Sequence, residues 1–182
     1  MSGLLISAAA CLLFWTLAYD TDERKVFRAA VEEIHGSDGV EDYVLLATTG
    51  PCTPFGMSKF HRKKLAVPVD ANADYWVKNL ACRSLPDDLP LDHPHTLVPQ
   101  RDLQSVYTSA TPDAKTALLQ KKIVKSYGVV ALSRAGLNLT HTRAVIYVEL
   151  LYCGLCGSGQ YYYLAKENGV WRVTDVASTW IS

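Results

Sequence analysis

The chain sets two cysteines two residues apart, Cys153-Gly154-Leu155-Cys156. This is the spacing of redox dithiols, in which a helix N-terminus lowers a thiol pKa and leaves it open to exchange. The residues after the second cysteine do not open a helix. Gly157-Ser158-Gly159 runs straight into Tyr161-Tyr162-Tyr163, so the pair reads as part of a loop between two strands, and a structural disulfide is the expectation. Cys52 and Cys82 complete an even set of four beyond residue 18. Pairing within the loop, or with Cys52 and Cys82, stays open from sequence. Tetrahedral zinc would also accept such sulfurs, but nothing supplies the second half of a site, and no metal or other cofactor is assigned.

Asp92-His93-Pro94-His95 brings a carboxylate and two imidazoles into one short segment, a set able to hold a metal or pass a proton near neutrality. Its other reading is a solvated loop. Tyr147, Tyr161, Tyr163 and Trp171 could line a concave face, since aromatics give large contact area with a polar tip; packing within the core explains them equally. Ser133 next to Arg134 lacks the Gly-x-Ser-x-Gly elbow of a nucleophile, and Arg134 reads as a solvent-facing or turn-anchoring side chain. The basic run His61-Arg62-Lys63-Lys64 reads as a solvated segment that could meet phosphate or anionic lipid. Asn138-Leu139-Thr140 has the N-glycosylation pattern, with a turn-forming Asn as the plainer reading.

These residues need elements to position them. Leu4 to Ala18 is an almost uncharged run, short for a spanning helix and suited to a signal-peptide core, with cleavage expected after Ala18 and a single domain over 19–182. The alternative for 1–18 is an uncleaved hydrophobic anchor, because Met1-Ser2-Gly3 carries no Lys or Arg. Any membrane association would come through residues 4–18. Asp20 and Glu23 look like a capping box for a helix whose apolar face is Val26, Phe27, Ala30, Val31 and Ile34, stopped by Gly36. Tyr43 to Thr48 reads as a short buried strand. Asp70 or Asn72 would cap a helix with Ala73, Trp76, Val77, Leu80 and Ala81 on its covered face. Leu85 to Pro99, with four prolines, reads as a long ordered loop or a small flexible insert, and Thr111-Pro112-Asp113 as the start of a short helix.

The last third is the clearest. Tyr127 to Ala135, Arg143 to Tyr152, Gln160 to Lys166 and Val170 to Val176 read as four strands with short connections, hence antiparallel neighbours. Asn168-Gly169 predicts a type I′ hairpin turn. Within the second strand, Ala144, Ile146, Val148 and Leu150 should face the densest core. The expected fold is α+β: N-terminal helices packed on a curved antiparallel sheet that ends in a four-stranded meander.

This part of the chain resembles a family of uncharacterised, mostly exported bacterial proteins. The likeness is carried by Ser133-Arg134-x-Gly136-x-Asn138, Ala144-x-x-Tyr147-Val148, Cys153-Gly154-x-x-Gly157-x-Gly159, Asn168-Gly169-x-Trp171-x-Val173 and Trp180-Ile181-Ser182. The order of elements also resembles the nuclear-transport-factor-2-like class. The resemblance implies export to the periplasm or outside, without an assigned activity. With 18 basic and 18 acidic residues among 182, the chain has no global field to gather nucleic acid. The leading expectation is an exported or envelope-associated binding or structural module of unknown partner. The alternatives are a small pocket enzyme of the nuclear-transport-factor-2-like type and a thiol-redox or metal protein using Cys153 and Cys156.

Overall fold

The computed structural model describes residues 21–36, 41–49, 67–153 and 156–181. The apolar run 4–18, Asp20, Cys52 and the basic run His61 to Lys64 lie outside the described residues.

Helix α1 (Thr21–His35) carries the predicted stripe, with Val26, Phe27, Ala30 and Val31 fully buried, and Gly36 ends it with its amide on the Glu32 carbonyl at 3.0 Å. The strands are β1 (Tyr43–Leu46), β2 (Thr48–Thr49), β3 (Arg83–Ser84), β4 (His95–Val98), β5 (Val129–Leu132), β6 (Gly136–Leu137), β7 (Arg143–Leu151), β8 (Gly157–Glu167) and β9 (Val170–Ile181). The main sheet runs β4-β1-β5-β7-β8-β9, with β6 also on β7; β2 and β3 pair separately.

The meander β5-β7-β8-β9 is antiparallel throughout, and the protein is α+β. The turn from β8 to β9 has Asn168 at φ +51° and Gly169 at φ +82°, the two positive values a type I′ turn requires. The other end of the sheet departs from the antiparallel expectation, because β1 lies parallel to both β4 and β5. The proline-rich segment is not loop throughout. After Pro94 it forms β4, an edge strand, where a missing N–H on the outer side costs no ladder bond. Pro99 then precedes an unanticipated helix α3 (Gln100–Thr108). Helix α4 (Ala114–Lys125) starts as expected, with the Asp113 carboxylate accepting from the Thr116 amide at 2.7 Å.

Helices cover both faces of the sheet. On one face α1 packs over Ala144, Ile146 and Val148, three of the four residues whose alternation marked them for the core, with the half-buried Leu150 against the same cluster and Tyr162 and Leu164 added from β8. On the other, α3 and α4 bring Leu103, Val106 and Ile123 against Val44, Leu46, Val129 and Leu151. Helix α2 (Val69–Lys78) brings Tyr75 against Val145, Tyr147, Tyr161 and Tyr163.

The orientation of α2 overturns its predicted face. Ala71, Tyr75 and Asn79 point inward, while Val69, Trp76, Val77 and Leu80 are exposed. Polar bonds set this roll. Neither Asp70 nor Asn72 caps the helix, which starts after Pro68 without a side-chain cap. Asp70 and Asp74, one turn apart, instead accept the amides of Leu139 at 2.9 Å and Leu137 at 2.8 Å. Asn79 takes both backbone groups of Arg134, accepting its N–H at 2.8 Å and donating to its carbonyl at 2.9 Å.

Candidate functional site

Alternation along β7 and β8 puts Val145, Tyr147, Tyr161 and Tyr163 on one face, because register-paired residues share a side: Val145 faces Tyr163 and Tyr147 faces Tyr161. Trp171 does not join them. Its register partner is Lys166, and it lies on the α1 face, its indole N–H donating to Asp22 at 3.2 Å. The structure thus brings together three of the four aromatics singled out in the sequence and adds Tyr75 from α2.

The tyrosines pack on each other. Tyr147 and Tyr161 have ring centroids 4.8 Å apart, and Tyr75 meets Tyr161 edge-on at 6.0 Å. Gly159 makes one further contact possible: a Cβ there would sit 2.1 Å from both the Tyr147 hydroxyl and the Trp180 indole nitrogen. Without it, Trp180 donates to the Tyr147 oxygen at 2.8 Å. Burial pushes the Tyr161 phenol up to about 12 and holds Tyr75 well above the ordinary phenol, so these hydroxyls are neutral hydrogen-bonding groups at physiological pH. Glu149 is fully buried on the same face, and its charge adds to the upward push on Tyr161. In the sequence Glu149 is one member of an alternating set, and its only signal is a carboxylate inside an otherwise apolar strand.

Asp92, His93 and His95 gather around a residue from another strand. Tyr43 of β1 donates to Asp92 at 2.8 Å, is register-paired with His95, and meets the His93 ring edge-on at 5.5 Å. His35, at the end of α1, stacks on the other side of Tyr43 at 4.8 Å. Burial lowers the His35 pKa, with Asp92 partly offsetting it, and burial followed by the Asp92 bond raises Tyr43 far above the ordinary phenol. The cluster therefore presents a neutral imidazole and a protonated phenol at neutral pH. Its carboxylate is already engaged by Tyr43, and among the described residues no group of three His, Cys, Asp or Glu side chains has the geometry to hold a metal ion.

Of the two readings of Arg134, solvent-facing or turn-anchoring, the structure rejects the first: Arg134 is fully buried in the turn between β5 and β6. Its Nε and Nη2 reach the two Glu23 oxygens at 2.7 and 2.6 Å, and Glu23 also accepts the Ala135 amide at 2.9 Å. Glu23 is thus no capping residue but the anchor of the β5 to β6 turn. Its neighbour Asp22 accepts from Lys166 at 2.8 Å and lies 3.1 Å from His141 Nδ1.

Cys153 and Cys156 are bonded to each other, which closes the loop between β7 and β8. Cys82, beyond the end of α2, is also disulfide-bonded; its partner lies outside the described residues. No protein-family model, no curated protein and no solved structure matches the chain.

Proposed function

We propose that the protein is an exported or envelope-associated binding module, fixed by disulfides and matured by removal of residues 1–18. The observation that carries this reading is the bridge between Cys153 and Cys156 on a loop that opens no helix. A bonded pair in that setting serves as a staple, and structural disulfides persist in oxidising compartments outside the cytosol. The bonded state of Cys82 and the apolar run 4–18 point the same way, as does the resemblance to exported bacterial proteins.

Binding is favoured over pocket catalysis by the tyrosine face. Tyr75, Tyr147 and Tyr161, which would line a catalytic cavity, pack against one another instead, and the Tyr161 phenol is pushed up to about 12.

Intact mass of protein recovered from an exporting host, before and after reduction and alkylation, tests the reading. The expected product starts at Tyr19 and gains four alkyl groups only after reduction. A full-length product with Cys153 and Cys156 free to alkylate without reduction would sink it and turn attention to thiol or metal chemistry.

A further inference from the structure

Two arginines stand on the tyrosine face of the meander. Arg143 of β7 and Arg172 of β9 are both register-paired with Ala165 of β8, so all three share the face of Tyr163. Two strand spacings separate the arginine Cα atoms by roughly 10 Å. Among the described residues neither guanidinium has an ion-pair or hydrogen-bond partner.

A groove of about 250 Å³ opens at this place, lined by Val67, Pro68, Arg143, Tyr163, Leu164 and Thr174. Tyr163 is only 7% exposed, and among the described residues its hydroxyl finds no hydrogen-bond partner. A buried hydroxyl left unmatched is costly, so an unsatisfied donor and acceptor and an unpaired cation belong to residues lining the same groove. Another groove differs: its Lys122 and Lys125 face Asp42 at 4.0 Å and Glu41 at 3.8 Å, so two of its three lysines, Lys121 being the third, are already opposed by carboxylates.

We infer that the Arg143 groove binds a small organic carboxylate. The inference rests on the reading of the chain as a binding module and names the ligand class. One carboxylate oxygen pair matches the guanidinium fork of Arg143, the Tyr163 hydroxyl supplies a further donor, and Val67 and Pro68 cover an apolar body. Charge selects a monoanion. Arg143 and Arg172 bring two positive charges to this part of the face, and Asp175, register-paired with Tyr163, brings one negative.

Sodium benzoate titrated calorimetrically into the oxidised, folded protein is the test, with benzyl alcohol and inorganic phosphate as comparison solutes. Saturable one-to-one benzoate binding is expected, weakened at least about tenfold in Arg143→Gln, as for loss of a charged hydrogen bond. Tyr163→Phe should weaken it by a smaller factor, and Lys121→Gln, in the other groove, should leave it unchanged. Arg143 is exposed, so its replacement is compatible with folding, and a native circular dichroism spectrum checks this. No saturable benzoate binding at millimolar concentrations, equal binding of benzyl alcohol, or phosphate binding without benzoate binding overturns the inference. Cleavage and disulfide state are read separately by mass, so a protein that passes that measurement and fails this one loses the ligand and keeps the module.

Discussion

Glu23 and Arg134 are separated by 111 positions and make two charged hydrogen bonds at zero exposure. The local text around Glu23 is that of a helix start, which is why the sequence suggests a cap; its true partner is invisible to any window of that width. Removing one member of a buried, bonded pair leaves the other's charge desolvated and unmatched. Glu23→Ala should therefore lower unfolding free energy in urea by about 3–5 kcal/mol, far more than loss of a helix cap at about 1 kcal/mol. A loss of cap size would mean that the pair is not buried as described. Asp22 is a milder case with a sign that can be worked out. Burial alone would raise its carboxyl, but the bonds from Lys166, Trp171 and His141 together outweigh burial and hold it below its ordinary 3.8. A depressed folded pKa means that its contribution is complete above the unfolded value and is lost as pH falls through the folded one. Urea unfolding measured from about pH 5 downward should show a falling stability below about pH 4 that is shallower in Asp22→Asn; an identical slope in the variant would remove Asp22 from that role.

Helix α2 shows why element positions were more legible than element faces. Its existence accords with propensity and spacing, but its apolar residues offer two competing stripes, and the longer one, through Trp76 and Leu80, lost. The winning stripe carries Asp70 and Asp74 to two backbone amides and Asn79 to both backbone groups of Arg134. Buried backbone groups must be matched, and no hydrophobic pattern reports that demand. Two substitutions read the roll directly. Leu80→Ser, at an exposed position, should change stability by no more than about 0.5 kcal/mol, whereas Tyr75→Ala should cost about 3–5 kcal/mol in the same urea assay. The reverse ranking would show the helix turned by half a revolution. Strand β4 was hidden for another reason. Four residues after a proline carry almost no periodic signal, and the strand exists because β1 offers it a parallel edge. The meander strands, by contrast, are joined by turns with their own chemistry, and their order was legible; β7 matches its reading almost to the residue, whereas β5 is shorter than Tyr127 to Ala135, and β8 and β9 run longer than Gln160 to Lys166 and Val170 to Val176.

At the scale of the molecule, the C-terminal half was legible because its contacts are local: β5 and β6 both pair with β7, and β7, β8 and β9 pair in chain order. The N-terminal half was legible as a set of elements and not as an arrangement, since α1 and β1 are placed by partners that come much later. The candidate sites obey the same division. The tyrosine face could be read from alternation in β7 and β8, whereas His35 beside Tyr43, and Arg134 beside Glu23, required the fold. Strand β1 has a consequence in time. It emerges from a ribosome or a translocon about fifty residues ahead of β4 and about eighty-five ahead of β5, and both its neighbours in the sheet belong to those later segments. Until Val98 has appeared, Tyr43-Val44-Leu45-Leu46 is an apolar strand with both edges open, and one edge stays open until Leu132, the kind of segment that chaperones hold and aggregates recruit. The meander can close as soon as it is made, and β1 then finds its slot between two strands already in place or forming. Of the sheet's strands, these four residues thus wait longest for the whole of their pairing, which comes only with the later chain.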